Sequence, residues 1–201
     1  FPVGPLQCNC TIIGDPETRN AIVVDPGGDA EKIIEKVSDL SLNINSIVHT
    51  HAHLDHFLAS GQIKEFTGAK LALHKDDLFL WNSLETQCRM FGISFVETPP
   101  PDNFMEHEEE IDLVGFRGKA LHTPGHTPGS MCFLFENYKL LIAGDTLFHG
   151  SIGRTDLWGG DFKKIEQSIK EKLYTLDEDT KVITGHGEPT SIGREIRVNS
   201  F

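Results

Sequence analysis

The stretch Ile47-Val48-His49-Thr50-His51-Ala52-His53-Leu54-Asp55-His56 decides how the rest of the chain is read. It opens as an apolar, β-branched run and passes without a break into four histidines and an aspartate. In an extended segment, residues two apart project to the same side, so His51 and His53 are placed to grip one cation. Asp55 and His56 come where the chain turns toward the next helix; they project differently and are placed to grip a second cation nearby. Imidazole and carboxylate are the usual ligands of a zinc ion that must keep a position open for water. A lone histidine is ordinarily a packing or surface residue. Four ligand-type residues within six positions, entered directly from an apolar strand, fit neither packing nor a solvated charge run.

Working outward, three more apolar runs end in the same kind of residue. Residues 119–122 lead into Thr123-Pro124-Gly125-His126, residues 139–143 into Gly144-Asp145, and residues 181–184 into Gly185-His186-Gly187. Glycine lets the backbone bend tightly and approach an ion closely. Sites in mixed α/β folds commonly lie beyond the carboxyl ends of strands. His126, Asp145 and His186 therefore join the first cluster as candidate ligands.

The other strand-like runs are 10–13, 21–24, 46–49, 71–73 and 131–135, several of them continuous or β-branched, as in strands buried on both faces. Helical patterns cover 29–40, with Asp29 as cap and Ile33, Ile34 and Val37 on one face, and also 57–66, 76–91 and 161–173. Strands and helices mix without strict alternation, which predicts an α/β fold of two mixed sheets with helices packed outside. The proline-rich segment 98–103 reads as a loop between stretches of similar composition, so residues 1–201 are expected to form a single domain.

The formal net charge is −12. That balance opposes binding to a phosphate backbone, and no stretch is both long and apolar enough to cross a membrane. Expected partners are thus small molecules, without nucleic acid or membrane; the sequence carries no signal of oligomeric state. Nearby carboxylates would offset the charge of two divalent ions. The four cysteines fit neither a disulfide framework nor a zinc CxxC pair, and Cys8 and Cys10 fall on one face of a strand as two small buried thiols. This predicts an intracellular, cytoplasmic protein, or an organellar one if a transit peptide has been removed; an N-terminal Phe points to processing or trimming.

The set His51-x-His53-x-Asp55-His56, then His126, Asp145 and His186, resembles the metallo-β-lactamase superfamily over essentially the whole chain. The glyoxalase II-like hydrolases are the nearest likeness, through residues 144–148, Gly-Asp-Thr-Leu-Phe, residues 150–156, Gly-Ser-Ile-Gly-Arg-Thr-Asp, and the tail from Thr190. The resemblance implies an αββα sandwich of two mixed β-sheets flanked by helices, with the site at one edge. It implies that one metal takes His51, His53 and His126, that the other takes Asp55, His56 and His186, and that Asp145 bridges them. Two zinc ions are expected, with iron or a mixed iron/zinc pair as the alternative.

The implied activity is that of a hydroxyacylglutathione hydrolase-like thioesterase of methylglyoxal detoxification, converting S-lactoylglutathione to glutathione and lactate by attack of a metal-bridging hydroxide. Asp55 would orient the water and shuttle a proton, and a thiolate leaves with little acid assistance. Arg154 is the candidate for binding a substrate carboxylate, against a structural pairing with Asp156 or the tail. His149 and Trp158 either line the same pocket or pack. His49 and His122 are read as buried residues, structural or ligand-orienting, His74 and His107 as surface or packing residues, and Lys64, Lys163 and Lys164 as solvated.

The family's helical glutathione-holding domain is not found in the 15 residues after His186, nor its aromatic hydroxyl where Thr155 and Asp156 stand, so selectivity for glutathione is not implied. Persulfide dioxygenases share the fold and are the rival reading, with one iron on His51, His126 and Asp145. The 151–161 loop favours the hydrolase, and the acidic charge speaks against a nuclease.

Overall fold

The computed structural model describes residues 1–113 and 116–201. Two sheets face each other. The first takes its strands in the order β1 (Thr11–Gly14), β2 (Asn20–Val24), β3 (Asn43–Val48), β4 (Lys70–Leu73) and β5 (Asn103–Phe104). Only the β1–β2 pair is antiparallel. The second has the spatial order β11 (Thr190–Ser191), β10 (Lys181–Thr184), β9 (Leu140–Gly144), β8 (Met131–Phe135), β7 (Phe116–His122) and β6 (Glu110–Leu113). Helices α1 (Ala30–Asp39), α2 (Leu54–Phe57), α3 (Ser60–Thr67), α4 (Leu78–Trp81) and α5 (Leu84–Phe91) come with the first sheet, and α6 (Phe162–Ser168) and α7 (Ile192–Val198) with the second.

The layering follows from the period of two. Along β2, Ile22 and Val24 enter the core between the sheets, while Ala21 and Val23 enter a separate core with Ile33 and Val37 of α1 and Ile63 of α3. Along β8, Met131, Phe133 and Phe135 face inward, while Cys132 and Leu134 face Ile165 of α6 and Ile192 of α7. Each of these strands is covered on both faces, which is why their sequences run apolar without alternation. The result is the expected αββα sandwich. No helix among the described residues is long and apolar enough to cross a membrane.

Several boundaries differ from the sequence reading. Asp29 stands at the N-cap position of α1 but in left-handed conformation, φ 49°, and makes no side-chain cap bond. Its carboxylate accepts the Gly4 N–H at 3.0 Å and ties down the N-terminal segment instead. The helix expected over 57–66 starts at Leu54 and is broken into α2 and α3, so Asp55 and His56 lie within a helical turn and not ahead of it. The pattern over 76–91 divides into a 3₁₀ turn at Lys75–Asp77, α4 and α5. The helix expected over 161–173 is capped by Asp161, which accepts the Lys163 and Lys164 N–H groups, and its end relaxes into a π-turn at Ile169–Leu173. Cys8 and Cys10 are both fully buried free thiols, as expected, but they do not share a strand: Cys8 lies in a two-residue strand, Cys8–Asn9, and Cys10 falls just outside it.

Candidate metal centre

Four strand ends meet at one edge of the sandwich. β9 and β10 are parallel, so Asp145 and His186 leave neighbouring strands side by side. β7 is antiparallel to β8, and β8 to β9, so β7 points the same way as β9 and delivers the His126 loop to the same edge. β8 runs the other way and contributes no ligand there. β3 of the other sheet brings His51 and His53; the Thr50 carbonyl accepts the Met131 N–H at 2.7 Å and joins the two sheets at that point.

The seven residues singled out in the sequence form two adjoining clusters that can each hold a metal ion. In the first, His51 Nε2, His53 Nδ1 and His126 Nε2 lie 3.1, 2.9 and 3.2 Å apart pairwise. A tetrahedral zinc with bonds of about 2.05 Å needs its nitrogens roughly 3.3 Å apart. In the second, Asp55 Oδ2 lies 3.1 Å from His186 Nε2 and 3.8 Å from His56 Nε2. Asp145 stands between the clusters, with Oδ1 3.4 Å from His56 Nε2 and Oδ2 3.5 Å from His126 Nε2 and 3.7 Å from His186 Nε2.

Hydrogen bonds behind the clusters set which nitrogens carry lone pairs. His56 Nδ1–H donates to Asp25 Oδ2 at 2.9 Å, and His126 Nδ1–H donates to the Arg154 carbonyl at 2.7 Å. The Thr50 hydroxyl donates to Asp25 at 2.6 Å, leaving its oxygen to accept from His51 Nδ1–H at 3.1 Å. The Nε2 lone pairs of His51 and His126 thus face each other, which repels unless a cation lies between them. His56 Nε2 and Asp145 Oδ1 are buried and have no hydrogen-bond partner, a costly state that a bound cation would relieve. His53 Nε2, on the far side of its ring, is likewise buried and unpartnered. The donor set therefore fits a pair of divalent ions of zinc or iron type.

Two orienting residues escaped the sequence reading. Asp25 follows β2 as His49 follows β3, and because β2 and β3 are parallel its carboxylate arrives at the same edge. Its strand-end position in Val24-Asp25-Pro26-Gly27 was the available signal. Asp77, fully buried, accepts the Ala52 N–H at 3.0 Å, the Thr127 hydroxyl at 2.7 Å and the Gly129 N–H at 2.6 Å. It stitches the His51–His53 segment to the His126 loop, and nothing local marks it.

The two clusters hold protons differently. Burial, reinforced by the neighbouring imidazoles, keeps His51 well below the ordinary histidine value, brings His53 down to about 3 and lowers His126. Burial also opposes a charge on His56 and His186, but there negative neighbours win and both are raised. Around His56 these are Cys8 and the carboxylates of Asp145, Asp25 and Asp55. Since burial pushes the Cys8 thiol up to about 12, the carboxylates supply the charge near neutrality. Metal binding to the second cluster must therefore displace protons, whereas the three-imidazole cluster is already unprotonated. On acidification from pH 8 to 5.5, we expect metal content to fall first from two equivalents to one. Elemental analysis after equilibration at each pH checks this, and simultaneous loss of both ions would contradict it.

Close approach at this edge depends on Gly185. A Cβ there would lie 2.0 Å from Asp145 Oδ1 and 3.0 Å from His56 Cε1. Gly185→Ala should weaken metal retention about 10- to 100-fold in chelator competition, as displaced ligand supports do; unchanged retention would show that Asp145 can move without consequence.

The remaining candidates sort themselves by contact. Arg154 borders the metal cavity, but its Nε and Nη2 donate to Asp156 Oδ1 and Oδ2 at 2.7 and 2.8 Å. Leu157, not Trp158 or His149, lines that cavity; Trp158 packs on the first sheet's outer core and His149 is exposed. His49 is buried and structural, bonded to the Ala72 carbonyl and the Ser60 hydroxyl at 2.9 and 2.7 Å. His122 holds the Pro128 carbonyl at 2.8 Å, bracing the His126 loop, and stacks on His74 at 4.0 Å. His107 Nδ1 accepts the His122 N–H at 3.2 Å. Lys163 and Lys164 are exposed, while Lys64 is not simply solvated: it pairs with Asp102, which also accepts the Leu71 N–H.

Residues 3–186 match the family described as the Metallo-beta-lactamase superfamily. A hydroxyacylglutathione hydrolase, GloC of Haemophilus influenzae, is 42% identical over all of this chain and 95% of its own. A structure described as BLEG-1 B3 metallo-beta-lactamase superposes with a TM-score of 0.89 at 35% identity, covering 99% of this chain and 96% of that one. TTHA1623 in a di-iron-bound form superposes with a TM-score of 0.90 at 36% identity, covering 99% and 98%.

Proposed function

This chain belongs to the metallo-β-lactamase superfamily as a metal-dependent hydrolase, and from that premise we propose that it is a binuclear thioesterase acting on S-acylglutathione-type thioesters, S-lactoylglutathione among them. The observation that supports this is the convergence of two ligand clusters on one shared carboxylate, Asp145, beside a cavity of about 270 Å³. His51, His53 and His126 would hold one zinc, and Asp55, His56 and His186 the other, with iron or a mixed pair as the alternative. When bound, such ions lower the pKa of water to about 7 and offset the negative charge that develops on the substrate oxygen. All four cysteines are buried, so none offers a thiolate nucleophile to the cavity.

The chain's own residues supply position. The Asp55 carboxyl, although burial alone would raise it, is held below the usual carboxylate range by His56 and His186. A carboxylate that remains ionised accepts a hydrogen bond from an attacking water and orients it, but makes a poor store for a proton. Asp55 is therefore proposed to orient more than to shuttle. Asp25, Thr50 and the Arg154 carbonyl keep the imidazoles aimed. Arg154 is retained as the residue that borders the substrate. A departing thiol with a pKa near 8.5 needs little acid assistance at neutral pH.

The test pairs elemental analysis with an assay of thiol release from S-lactoylglutathione. About two zinc per chain with release of glutathione is expected. The second reading, a mononuclear-iron persulfide dioxygenase, draws on the His51, His126 and Asp145 subset, a two-His-one-carboxylate set. It would leave His53, Asp55, His56 and His186 without a common purpose. One tightly held iron, with oxygen consumed in the presence of glutathione persulfide and no thioester cleaved, would replace the hydrolase reading.

A further inference from the structure

Resting on the thioesterase reading, we infer that the cavity selects the acyl arm of its substrate by apolar contact, preferring short hydrocarbon acyl groups to lactoyl, and does not engage the charged ends of glutathione. Beyond the metal ligands, the wall is Leu6, Leu54, Phe91 and Leu157, with Gln87 and Arg154 as its polar members. Leu6 and Phe91 remain 39% and 40% exposed at the rim of a polar centre, which is apolar surface that a hydrocarbon ligand would cover.

The polar side chains on that wall are already committed. Gln87, fully buried, accepts the Leu54 N–H at 2.9 Å and donates to the Ala52 and Leu80 carbonyls at 3.0 and 2.9 Å. Arg154 Nε and Nη2 are paired with Asp156, which offsets the guanidinium charge. Among the described lining residues there is no lysine and no second arginine to meet the two carboxylates of glutathione. The net charge of −12 adds long-range repulsion.

Size assigns the arms. A cavity of about 270 Å³ equals roughly nine waters at ~30 Å³ each. A tripeptide thiol is too large for it and must extend into solvent, which leaves the acyl arm inside. There a lactoyl hydroxyl finds no uncommitted partner on the apolar wall, whereas methylenes do. In the reaction, the water oxygen bonds to the acyl carbon, the carbon–sulfur bond breaks, and the sulfur leaves with the electron pair and takes up the water's proton. The products are a carboxylic acid and a free thiol.

The metal-loaded protein is assayed for kcat/KM on two matched series. One carries acetyl, propanoyl, butanoyl and pentanoyl on glutathione beside S-lactoylglutathione. The other carries the same acyl groups on N-acetylcysteamine, an uncharged thiol. We expect a rise of about fourfold per methylene, butanoyl above lactoyl, and less than a threefold difference between thiols for any acyl group. Phe91→Asp and Leu6→Asp, both at partly exposed positions that tolerate a charge, should each flatten the acyl series. A flat or falling series, or a preference for glutathione above tenfold that Arg154→Ala abolishes, overturns the inference while leaving the thioesterase reading intact. Turnover of no thioester in either series sinks that reading and the inference together.

Discussion

Asp145→Ala should abolish retention of at least one metal ion and lower thioesterase activity by at least about 10³-fold. Its carboxylate faces both clusters, Oδ1 standing 3.4 Å from His56 of the second, and Oδ2 3.5 Å from His126 of the first and 3.7 Å from His186 of the second. Removing the carboxylate would take a ligand from both candidate sites and a negative charge from between them. A metal that activates water and offsets oxyanion charge contributes several kcal/mol to the barrier, and each 1.36 kcal/mol is tenfold in rate, so a loss of about 10³ corresponds to roughly 4 kcal/mol. Asp145→Asn keeps the shape and one acceptor without the charge, and should retain one ion in the His51, His53 and His126 cluster. Elemental analysis and kcat measured on the same preparations check both. A variant with two ions and undiminished turnover would remove Asp145 from the mechanism.

Asp77→Ala should destabilise the fold by roughly 3–5 kcal/mol, because it leaves the buried N–H groups of Ala52 and Gly129 without an acceptor. The Thr127 hydroxyl can turn to Ser130 Oγ, 2.8 Å away, but the two backbone amides have no such alternative. The same residue predicts a pH effect. Burial raises the Asp77 carboxyl to about 6 from an ordinary 3.8, against the pull of its three donors. Between those values the folded protein binds more protons than the unfolded chain, so this group's contribution falls as pH rises from 4 toward 7. The difference of about two units corresponds to roughly 3 kcal/mol. Asp77→Asn lacks the titration. The stability of the variant relative to the wild type, its unfolding free energy minus that of the wild type, should therefore increase by about that amount between pH 4 and 7, measured by urea denaturation. A parallel pair of pH profiles would show that Asp77 titrates normally.

The site was more legible in the sequence than its supports. His51, His53, Asp55, His56, His126, Asp145 and His186 are marked because each follows an apolar run at a turn, and all seven converge in the structure. Asp25 carries the same mark, in Val24-Asp25-Pro26-Gly27, yet stands alone without a histidine beside it, so the pattern does not single it out. Asp77 carries none, since it lies in a 3₁₀ turn next to the exposed Asp76. His74 and His122 come from different sheets, and their stacking at 4.0 Å depends on how β4 and β7 lie across the sandwich. Helix extents are illegible locally for a related reason. Periodicity over 54–67 and 75–91 tells which face is buried, and the breaks at Leu58–Ala59 and Asn82–Ser83 answer to packing.

Composition and local pattern alone determined the layered α/β architecture and the kind of chemistry, since strand period, turn glycines and ligand type are all properties of neighbouring residues. Only the tertiary structure decided which imidazole meets which carboxylate, that Arg154 closes on Asp156, and that leucine and phenylalanine wall the cavity. Those outcomes depend on strand order and direction. The ends of β7, β9 and β10 share one edge because β8 runs against them, and that relation brings together residues as far apart as His126 and His186, 60 positions, where no local signal reaches.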